Sequence, residues 1–485
     1  MKSYYQALFI LCIVLYFPLF YNLNGPPISI WDEAIYANNA IEMAYSNDFL
    51  ILRNNNEPSL YNVKPPFVVW LQALCIKIGG ANEWSIRLPS AIAGFLTCLA
   101  LFYFSYKTLN DYRIGVIGSL VLVTSQGFIR YHVTRTGDLD SVLVFWITFY
   151  TLMSFHYFLK QPTNYKYYFN WIGIGVLLGF LTKSVAGLMP LLGILIGSIM
   201  IKKSKGVLTK FYTYKVALVV LTLSGLYYLI RESLAPGYWQ KVYFSEYCRF
   251  TQNIMPYHEH ETSYYLHNFV SLQFFTPYIY ILPFCILLNF IFHLYRTVSI
   301  LIVTFSASYL GLISYPSVKL EWYDAPLYPM FALLVGIAFI NIFKQIEPFI
   351  KINFLKNSLA ILSICIIFYQ PYSKIIEKIH LKEPKDVLEK EGNFIRELSL
   401  RRKNISNYKV LMTNKESEHL DAANFYIKSQ NWYQLKNIYL VRDTLKIISG
   451  DTILCCQKKN IEYLNMHFKI QFLDSLNECK LLTVQ

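Results

Sequence analysis

Six short clusters of ionisable residues lie beside long apolar stretches of this 485-residue chain. They are Trp31-Asp32-Glu33, Lys64-Pro65-Pro66, Arg135-Thr136-Gly137-Asp138-Leu139-Asp140, Leu181-Thr182-Lys183, Glu246-Tyr247-Cys248-Arg249 and Lys319-Leu320-Glu321-Trp322-Tyr323-Asp324. Ionisable groups next to hydrocarbon are costly, so each cluster requires a reason. Carboxylates suit general-base chemistry or metal binding, and Lys and Arg suit phosphate. The combination is typical of an enzyme that acts on a lipid-linked phosphate.

Each cluster also has a structural interpretation that the sequence leaves open. Asp32 and Glu33 can begin a surface helix, where acids complement the helix dipole. The lysines of the second, fourth and sixth clusters can extend to lipid headgroups without binding a ligand. Glu246 and Arg249 have the i,i+3 spacing of a pair on a helix surface.

Local pairing and solvent exposure are the alternatives for the remaining candidates. Asp138 and Asp140 can form ion pairs with Arg135. His258 and His260, each followed by a glutamate, look like metal ligands. No third ligand has a fixed spacing from them, so a solvated loop is the simpler interpretation and we predict no metal site there.

Composition indicates which elements must position these residues. Apolar residues make up 55% of the chain and charged residues only 15%, whereas soluble proteins carry about 25% charged residues. A membrane-spanning helix needs roughly 20 apolar residues. Windows that meet or approach that length are 7–23, 88–106, 114–129, 141–159, 169–181, 184–201, 216–230, 269–292, 298–314, 326–343 and 358–369. We therefore predict a polytopic α-helical membrane protein with about 11 transmembrane helices, one for each window.

The net charge of +14 would suit nucleic acid, but its distribution indicates membrane topology. With the N-terminus in the cytoplasm, the cytoplasmic loops collect many basic residues, among them Lys202, Lys203 and Lys205, and only two acids, Asp111 and Glu347. The same alternation puts all six ionisable clusters at the outer face. We predict a multi-pass protein of the plasma membrane, in contact with membrane lipids, whose functional side is periplasmic, and we predict no nucleic-acid partner.

Two soluble parts are expected outside the membrane. The first external loop, about residues 24–84, contains two candidate amphipathic helices, 33–45 and 65–78, of the kind that lie along a membrane surface. After residue 371 the composition becomes charged and alternating, so we divide the chain into a membrane domain, 1–371, and a small extracytoplasmic α/β domain, 372–485. Four cysteines would face outside, Cys248, Cys455, Cys456 and Cys479, and the three pairings that they allow are not resolved.

The motifs resemble those of GT-C glycosyltransferases, in particular bacterial protein O-mannosyltransferase-like enzymes and lipid A aminoarabinose transferases. The resemblance covers roughly residues 1–340. The segments that carry it are Trp31-Asp32-Glu33-Ala34-Ile35-Tyr36-Ala37, Pro58-Ser59-Leu60-Tyr61-Asn62-Val63-Lys64-Pro65-Pro66, Asn82-Glu83-Trp84-Ser85-Ile86-Arg87-Leu88-Pro89-Ser90, Asp140, Leu181-Thr182-Lys183, residues 244–251, and Lys319 with Tyr323, Pro326 and Pro329. The acidic motif followed about thirty residues later by Lys-Pro-Pro is the most specific part.

The resemblance implies an inverting transfer of a sugar from a polyprenyl-phosphate donor to a hydroxyl or phosphate of a lipid, glycan or protein acceptor. It implies Asp32 as the base that takes the acceptor proton. The expected catalytic residues are Asp32, Glu33 and Asp140, and the expected substrate-binding residues are Tyr61, Lys64, Asp138, Lys183, Arg249, Lys319 and Tyr323. Cations at the leaving phosphate would accelerate the step, because that group gains negative charge in the transition state.

Two departures from the pattern bear on these expectations. Val63 stands where some relatives have Glu, and Ser184 follows Lys183 where relatives often have Gly. Only some such enzymes use a divalent metal, and Val63 stands where an acid could contribute a ligand. We therefore assign no cofactor, and binding of a divalent metal stays an alternative. A transporter or flippase of lipid-linked glycans is the alternative function, although it would require charges at mid-helix depth. A third hypothesis is a structural membrane anchor for the C-terminal domain.

Overall fold

A computed structural model describes residues 2–129, 132–201, 209–252, 256–270, 277–380, 390–401, 405–413 and 420–485. The basic residues Lys202, Lys203 and Lys205 lie outside the described residues. The chain forms two compact units. The membrane unit comprises Met1–Asn22, Leu60–Val68 and Pro89–Leu381, and the loop unit comprises Leu23–Ser59, Val69–Leu88 and Lys382–Gln485.

Long apolar helices dominate the chain, which confirms the polytopic fold class. Within the described residues, eight helices are long and apolar enough to cross a membrane: Ser3–Phe20, Glu83–Thr108, Asp140–Lys160, Tyr165–Gly187, Phe211–Leu234, His293–Ser314, Glu321–Phe349 and Phe354–His380. Three other predicted windows contain shorter helices, Tyr112–Val123, Leu191–Met200 and Tyr278–Ile291. Each of the 11 windows therefore contains a helix, while the number of spans stays a prediction.

The span Glu321–Phe349 is central to the membrane unit, since 83% of its apolar window is buried. By contrast, only 22% of the window in Phe211–Leu234 and 11% of that in Phe354–His380 are buried. Leu218, Leu221 and Leu229 on Phe211–Leu234 are 60–65% exposed. In a bilayer such surfaces face lipid at no cost, so these two helices lie at the periphery.

One predicted helix, 184–201, is broken near its start. A 3₁₀ turn, Ser184–Gly187, separates the helix Tyr165–Lys183 from Leu191–Met200. Gly187 packs so closely that a Cβ there would lie 2.3 Å from the carbonyl carbon of Gly179. The chain can therefore fold back against its own preceding helix only because residue 187 is a glycine, whereas a Cβ at Gly179 would make ordinary van der Waals contacts, the nearest at 3.7 Å.

The loop unit contains a short hairpin in the first loop, β1 Arg53–Asn54 with β2 Glu57–Pro58, and a five-stranded mixed sheet. The strands of the sheet are β3 Asn407–Leu411, β4 Asn437–Val441, β5 Thr452–Cys455, β6 Ile470–Leu476 and β7 Cys479–Val484. Their order across the sheet is β4-β3-β5-β7-β6. Strand β3 is parallel to β4 and β5, and β7 is antiparallel to β5 and β6. Helices Lys390–Leu400, Asp421–Gln434 and Lys458–His467 complete the C-terminal part, which is the small α/β region expected from sequence.

The loop unit departs from the sequence-based picture in two respects. Helix Asp32–Ser46, expected to lie along the membrane surface, is buried on nearly all sides and shares an apolar core with Phe394 and Phe425. Its alanines allow neighbouring residues to approach on every face of the helix. Its weak amphipathicity therefore did not indicate that the helix is buried. The composition change at residue 371 falls inside helix Asn353–His380, which continues through Pro371, and the loop unit includes parts of the first external loop.

Candidate functional site

A cavity in the membrane unit brings residues from five of the six ionisable clusters together. Its polar lining comes from Lys64, Asp140, Lys183, Ser245, Glu246, Arg249, Tyr309 and Tyr323. Its apolar lining comes from Leu143, Val185, Ala186, Met189, Phe250, Ile313, Pro316, Val318 and Pro326. A lining that contains both charged and apolar side chains suits a ligand with an anionic head and a hydrocarbon tail. The sixth cluster belongs to the loop unit.

Two helix ends place a carboxylate and an ammonium side by side in this cavity. Asp140 is the first residue of helix Asp140–Lys160, and Lys183 is the last residue of the adjacent helix Tyr165–Lys183. The Lys183 ammonium donates to both oxygens of Asp140, at 2.6 and 2.8 Å. An acid at a helix N-terminus and a cation at a C-terminus also complement the two helix dipoles. Both charges are therefore held at fixed positions.

Lys64 reaches the cavity from the segment before helix Phe67–Gly79. The buried Tyr238 hydroxyl donates to the Val63 carbonyl at 2.7 Å, and Val63 itself packs against Phe180. This anchor fixes the backbone beside Lys64, whose ammonium donates to the Glu246 carboxylate. Val63 therefore serves as an apolar anchor for the lysine.

Arg249 and Lys183 both lie against the ring of Tyr323. The Lys183 Nζ is 5.1 Å and the Arg249 Cζ is 5.5 Å from the ring centroid, within range of a cation–π interaction. The Tyr309 hydroxyl donates to the Tyr323 carbonyl at 3.1 Å and so fixes that ring's backbone. The Arg249 Nε is buried and has no hydrogen-bond partner among the described residues. Because buried donors are nearly always paired, this N–H suits an anionic ligand.

Asp138 supports the turn that precedes Asp140 and is not among the residues that line the cavity. Its Oδ1 lies 3.3 Å from Nδ1 of His132, and its backbone carbonyl accepts from the Ser90 hydroxyl at 3.0 Å. Burial favours the neutral acid, but the charges of His132 and Lys183 oppose it and lower the pKa of Asp138 below its ordinary value. This shift favours the carboxylate form of Asp138.

Lys319 faces backbone carbonyls. Its side chain is buried, with 1% exposure, and the ammonium donates to the carbonyls of Pro316 and, at 2.8 Å, His260. Its backbone N–H donates to the carbonyl of His258 at 2.9 Å. Burial lowers the pKa of the Lys319 ammonium. The contacts therefore indicate that Lys319 joins two loop segments, and that His258 and His260 take part through their backbone.

In the loop unit, Glu33 is engaged in a buried ion pair. Arg87 Nε donates to Glu33 Oε1 at 2.7 Å and Nη2 donates to Oε2 at 2.9 Å. The backbone N–H of Ser29 donates to the same carboxylate at 2.7 Å. Glu33 is 1% exposed. A buried carboxylate with three donors is poorly placed to accept a further proton, so the geometry argues for a positioning role for Glu33.

Asp32 differs from Glu33 in its surroundings. It is only partly buried at the first turn of helix Asp32–Ser46. Trp31 before it has φ 69° and ψ −125°, a backbone conformation that residues other than glycine rarely adopt. Such strain concentrates at functional sites. Tyr61, the remaining predicted residue, is 75% exposed on the segment that leads to Lys64 in the membrane unit.

Several residues that shape the site were not predicted. Tyr309 supports Tyr323, Tyr238 anchors Val63, and Arg87 holds Glu33. Arg87 was detectable in principle, because an arginine just before an apolar window needs a partner. The tyrosines carry no such signal in a chain with 40 of them.

Residues 63–228 match the family described as dolichyl-phosphate-mannose-protein mannosyltransferase. An undecaprenyl phosphate-alpha-4-amino-4-deoxy-L-arabinose arabinosyl transferase of Pseudomonas fluorescens is 27% identical over 243 residues, 48% of this chain and 40% of that protein. The crystal structure of ArnT from Cupriavidus metallidurans bound to undecaprenyl phosphate has a TM-score of 0.69 at 13% identity and covers 99% of this chain and 97% of that one. The oligosaccharyltransferase AglB from Archaeoglobus fulgidus, in complex with an inhibitory peptide and a dolichol-phosphate, has a TM-score of 0.56 at 12% identity and covers 100% of this chain and 74% of that one.

These likenesses confirm the resemblance to GT-C enzymes, with mannosyltransferase-like and aminoarabinose-transferase relatives. At such low identity the structural matches establish the fold. The chain spans less than half the length of the curated relatives that it matches. The comparisons therefore establish the fold, and the activity of this chain is a proposal.

Proposed function

We propose that this protein is an inverting membrane glycosyltransferase that moves a sugar from a polyprenyl-phosphate donor to an acceptor hydroxyl or phosphate. The acceptor is a lipid, a glycan or a protein, and the reaction takes place at the periplasmic face of the plasma membrane. The proposal rests on one observation above all: Lys64, Lys183 and Arg249 share one cavity with an apolar wall.

Charge in the cavity supports binding of the donor phosphate. The lining carries three cations against two carboxylates, Asp140 and Glu246. Each carboxylate has a lysine partner, whereas the buried Arg249 Nε has no partner among the described residues. Arg249 is therefore the best candidate for the first contact with phosphate, because guanidinium groups bind phosphate oxygens in two parallel hydrogen bonds.

In the proposed reaction the acceptor oxygen attacks the anomeric carbon as the bond from that carbon to the phosphate oxygen breaks. The bonding electrons leave with the phosphate, whose added charge the three cations stabilise. Asp32 takes the acceptor proton. Its resemblance to the acidic motif of GT-C enzymes and its partial exposure support this role, and the pairing of Glu33 with Arg87 favours Asp32 over its neighbour.

The single disulfide among the described cysteines, Cys456–Cys479, supports the periplasmic assignment of the C-terminal part. Disulfides persist in oxidising compartments and are rare in the cytoplasm. The topology predicted from the cytoplasmic basic residues puts the same segment outside. Two independent lines of argument therefore support one location.

The test compares lipids, glycans and proteins by mass spectrometry from cells with and without the gene, which identifies the sugar and its acceptor. Membranes containing Asp32→Asn are then supplied with the donor so identified. We expect a loss of transfer of about 10²–10⁴-fold, the range for removal of a general base. Glu57→Gln, an exposed acid in the same loop, is the matched control and should keep full activity.

Two results would overturn the proposal. Full activity of Asp32→Asn would remove Asp32 as the base. Movement of labelled lipid-linked glycan across the bilayer by the purified protein, with no glycosyl product, would favour the flippase instead.

A further inference from the structure

The segment that leads to Trp31 and Asp32 is held almost entirely by side chains. Residues 23–29 form neither helix nor strand. Arg87 donates to the carbonyls of Leu23, Pro26 and Pro27 at 2.7–2.8 Å while its other bonds hold Glu33. Because prolines donate no N–H, the segment cannot form a regular ladder, and its buried carbonyls need donors from elsewhere.

The remaining donors and acceptors come from the C-terminal part of the same compact unit. Arg396 Nη2 donates to the carbonyls of Asn24 and Gly25 at 2.6 and 2.9 Å. The hydroxyl of Tyr426 accepts from the Ile28 N–H at 2.8 Å. With Glu33 accepting from the next N–H, each residue from 23 to 29 has a backbone group fixed by a buried side chain.

Glu83 connects this arrangement to Arg87. The Tyr426 hydroxyl donates to Glu83 Oε1 at 2.7 Å, and Arg396 Nε donates to the same oxygen. Glu83 and Arg87 are one helical turn apart on helix Glu83–Thr108 and therefore share a face. Arg396 and Tyr426 thus join a hydrogen-bond network whose other members, Glu83 and Arg87, lie on one turn of this helix.

We propose that Arg396 and Tyr426 are positioning residues for Asp32, so that the C-terminal segment forms part of the frame of the catalytic loop. This inference rests on the proposed function for the role of Asp32. In this proposal the C-terminal segment contributes to activity by holding the backbone of residues 24–28 through hydrogen bonds. It touches neither donor nor acceptor in the proposed role.

The test uses the full-length protein with Tyr426→Phe, which removes one hydroxyl and keeps the ring. Tyr439→Phe, at an exposed tyrosine on β4 in the same unit, is the matched control. The readouts are amide hydrogen exchange of residues 23–31 and the separate kcat and KM for the donor lipid. We expect exchange in that segment to rise at least tenfold and kcat to fall at least tenfold. The donor KM should be unchanged, because the phosphate-binding cations belong to the membrane unit.

The outcomes separate this inference from the proposed function. If wild-type protein transfers no sugar, the proposed function fails, while hydrogen exchange still tests whether Tyr426 holds the segment. Wild-type exchange in Tyr426→Phe, or raised exchange with unchanged kcat, overturns the positioning role, and so does an equal fall in kcat for Tyr439→Phe. Should Tyr426→Phe fail to fold, Arg396→Lys is measured in the same way, because it keeps a cation beside Glu83 and cannot bridge the two carbonyls.

Discussion

The Lys183 ammonium and the Asp140 carboxylate share two hydrogen bonds, of 2.6 and 2.8 Å, at the adjoining ends of two membrane helices. Their side chains are only 10% and 6% exposed. A buried pair of this kind adds little net stability compared with apolar residues, but removal of one partner is strongly destabilising. The pair therefore fixes geometry at the cavity, and its two members should respond to mutation in a characteristic way.

We predict that Lys183→Met destabilises the protein by about 3–5 kcal/mol, because Asp140 is left charged and buried. The double variant Lys183→Met with Asp140→Leu should recover part of that loss. Sugar transfer should stay abolished in both variants, since the phosphate loses a cation. Thermal unfolding in detergent measures the stability, and equal unfolding temperatures for the wild type and Lys183→Met would contradict the buried-pair interpretation.

Arg249→Lys tests whether the guanidinium of Arg249 contacts the donor phosphate. Lysine keeps the charge but loses the bidentate geometry, so we expect the donor KM to rise about tenfold or more for a loss of 1.4 kcal/mol or more. The neighbouring Lys241→Arg, at an exposed position in the same loop, serves as the control. An unchanged KM in Arg249→Lys would show that the phosphate is held by other groups.

Arg87→Ala should destabilise the loop unit more than any surface arginine does. It removes the partner of a buried carboxylate and three donors to backbone carbonyls, so we expect a loss of about 3–5 kcal/mol. Arg53→Ala is the control, because Arg53 pairs with Asp48 at 3.1 Å with both side chains about 30% exposed, and such pairs contribute about 0–1 kcal/mol. Chemical denaturation measures both variants. Similar losses of unfolding free energy in the two variants would indicate that the Glu33–Arg87 pair does not stabilise the loop unit more than an exposed pair does.

The membrane helices were predictable because each requires only a local apolar window, and every one of the 11 windows contains a helix. Local pattern could not reveal how helix Asp32–Ser46 packs, because its burial depends on residues such as Phe394 and Phe425 more than 300 positions away.

In the candidate site, too, the local sequence pattern identified residues but not the contacts that their side chains make with distant parts of the chain. Charge beside hydrocarbon was enough to select Lys64, Asp140, Lys183 and Arg249, which all line the cavity. The separate environments of Asp32 and Glu33 were not visible in a sequence where the two acids are adjacent. Lys319 was selected by the same charge rule, although its ammonium faces carbonyls, because sequence does not show whether a cation meets a ligand or the backbone.

Cys456 and Cys479 should resist a membrane-impermeant thiol reagent applied to spheroplasts until a reductant is added. The disulfide closes a separation of 23 residues, for which the chain-entropy model gives a stabilisation of about 3 kcal/mol. Cys456→Ser should therefore lower the unfolding temperature, whereas Cys455→Ser, at the adjacent buried free thiol, should not change the labelling pattern. Labelling of either half-cystine without reduction would contradict the pairing.

Ser184 provides a test of stored backbone strain next to the cavity. It follows Lys183 with φ 56° and ψ −134°, a region that glycine adopts far more readily than other residues. Its hydroxyl hydrogen-bonds to that of Tyr228 at 2.7 Å. Ser184→Gly and Ser184→Ala both lose this bond, but only glycine relieves the strain. We therefore expect the glycine variant to be more stable than the alanine variant by about 1–2 kcal/mol. Paired thermal unfolding experiments measure the order, and an alanine variant as stable as the glycine variant would show that the positive φ carries no cost.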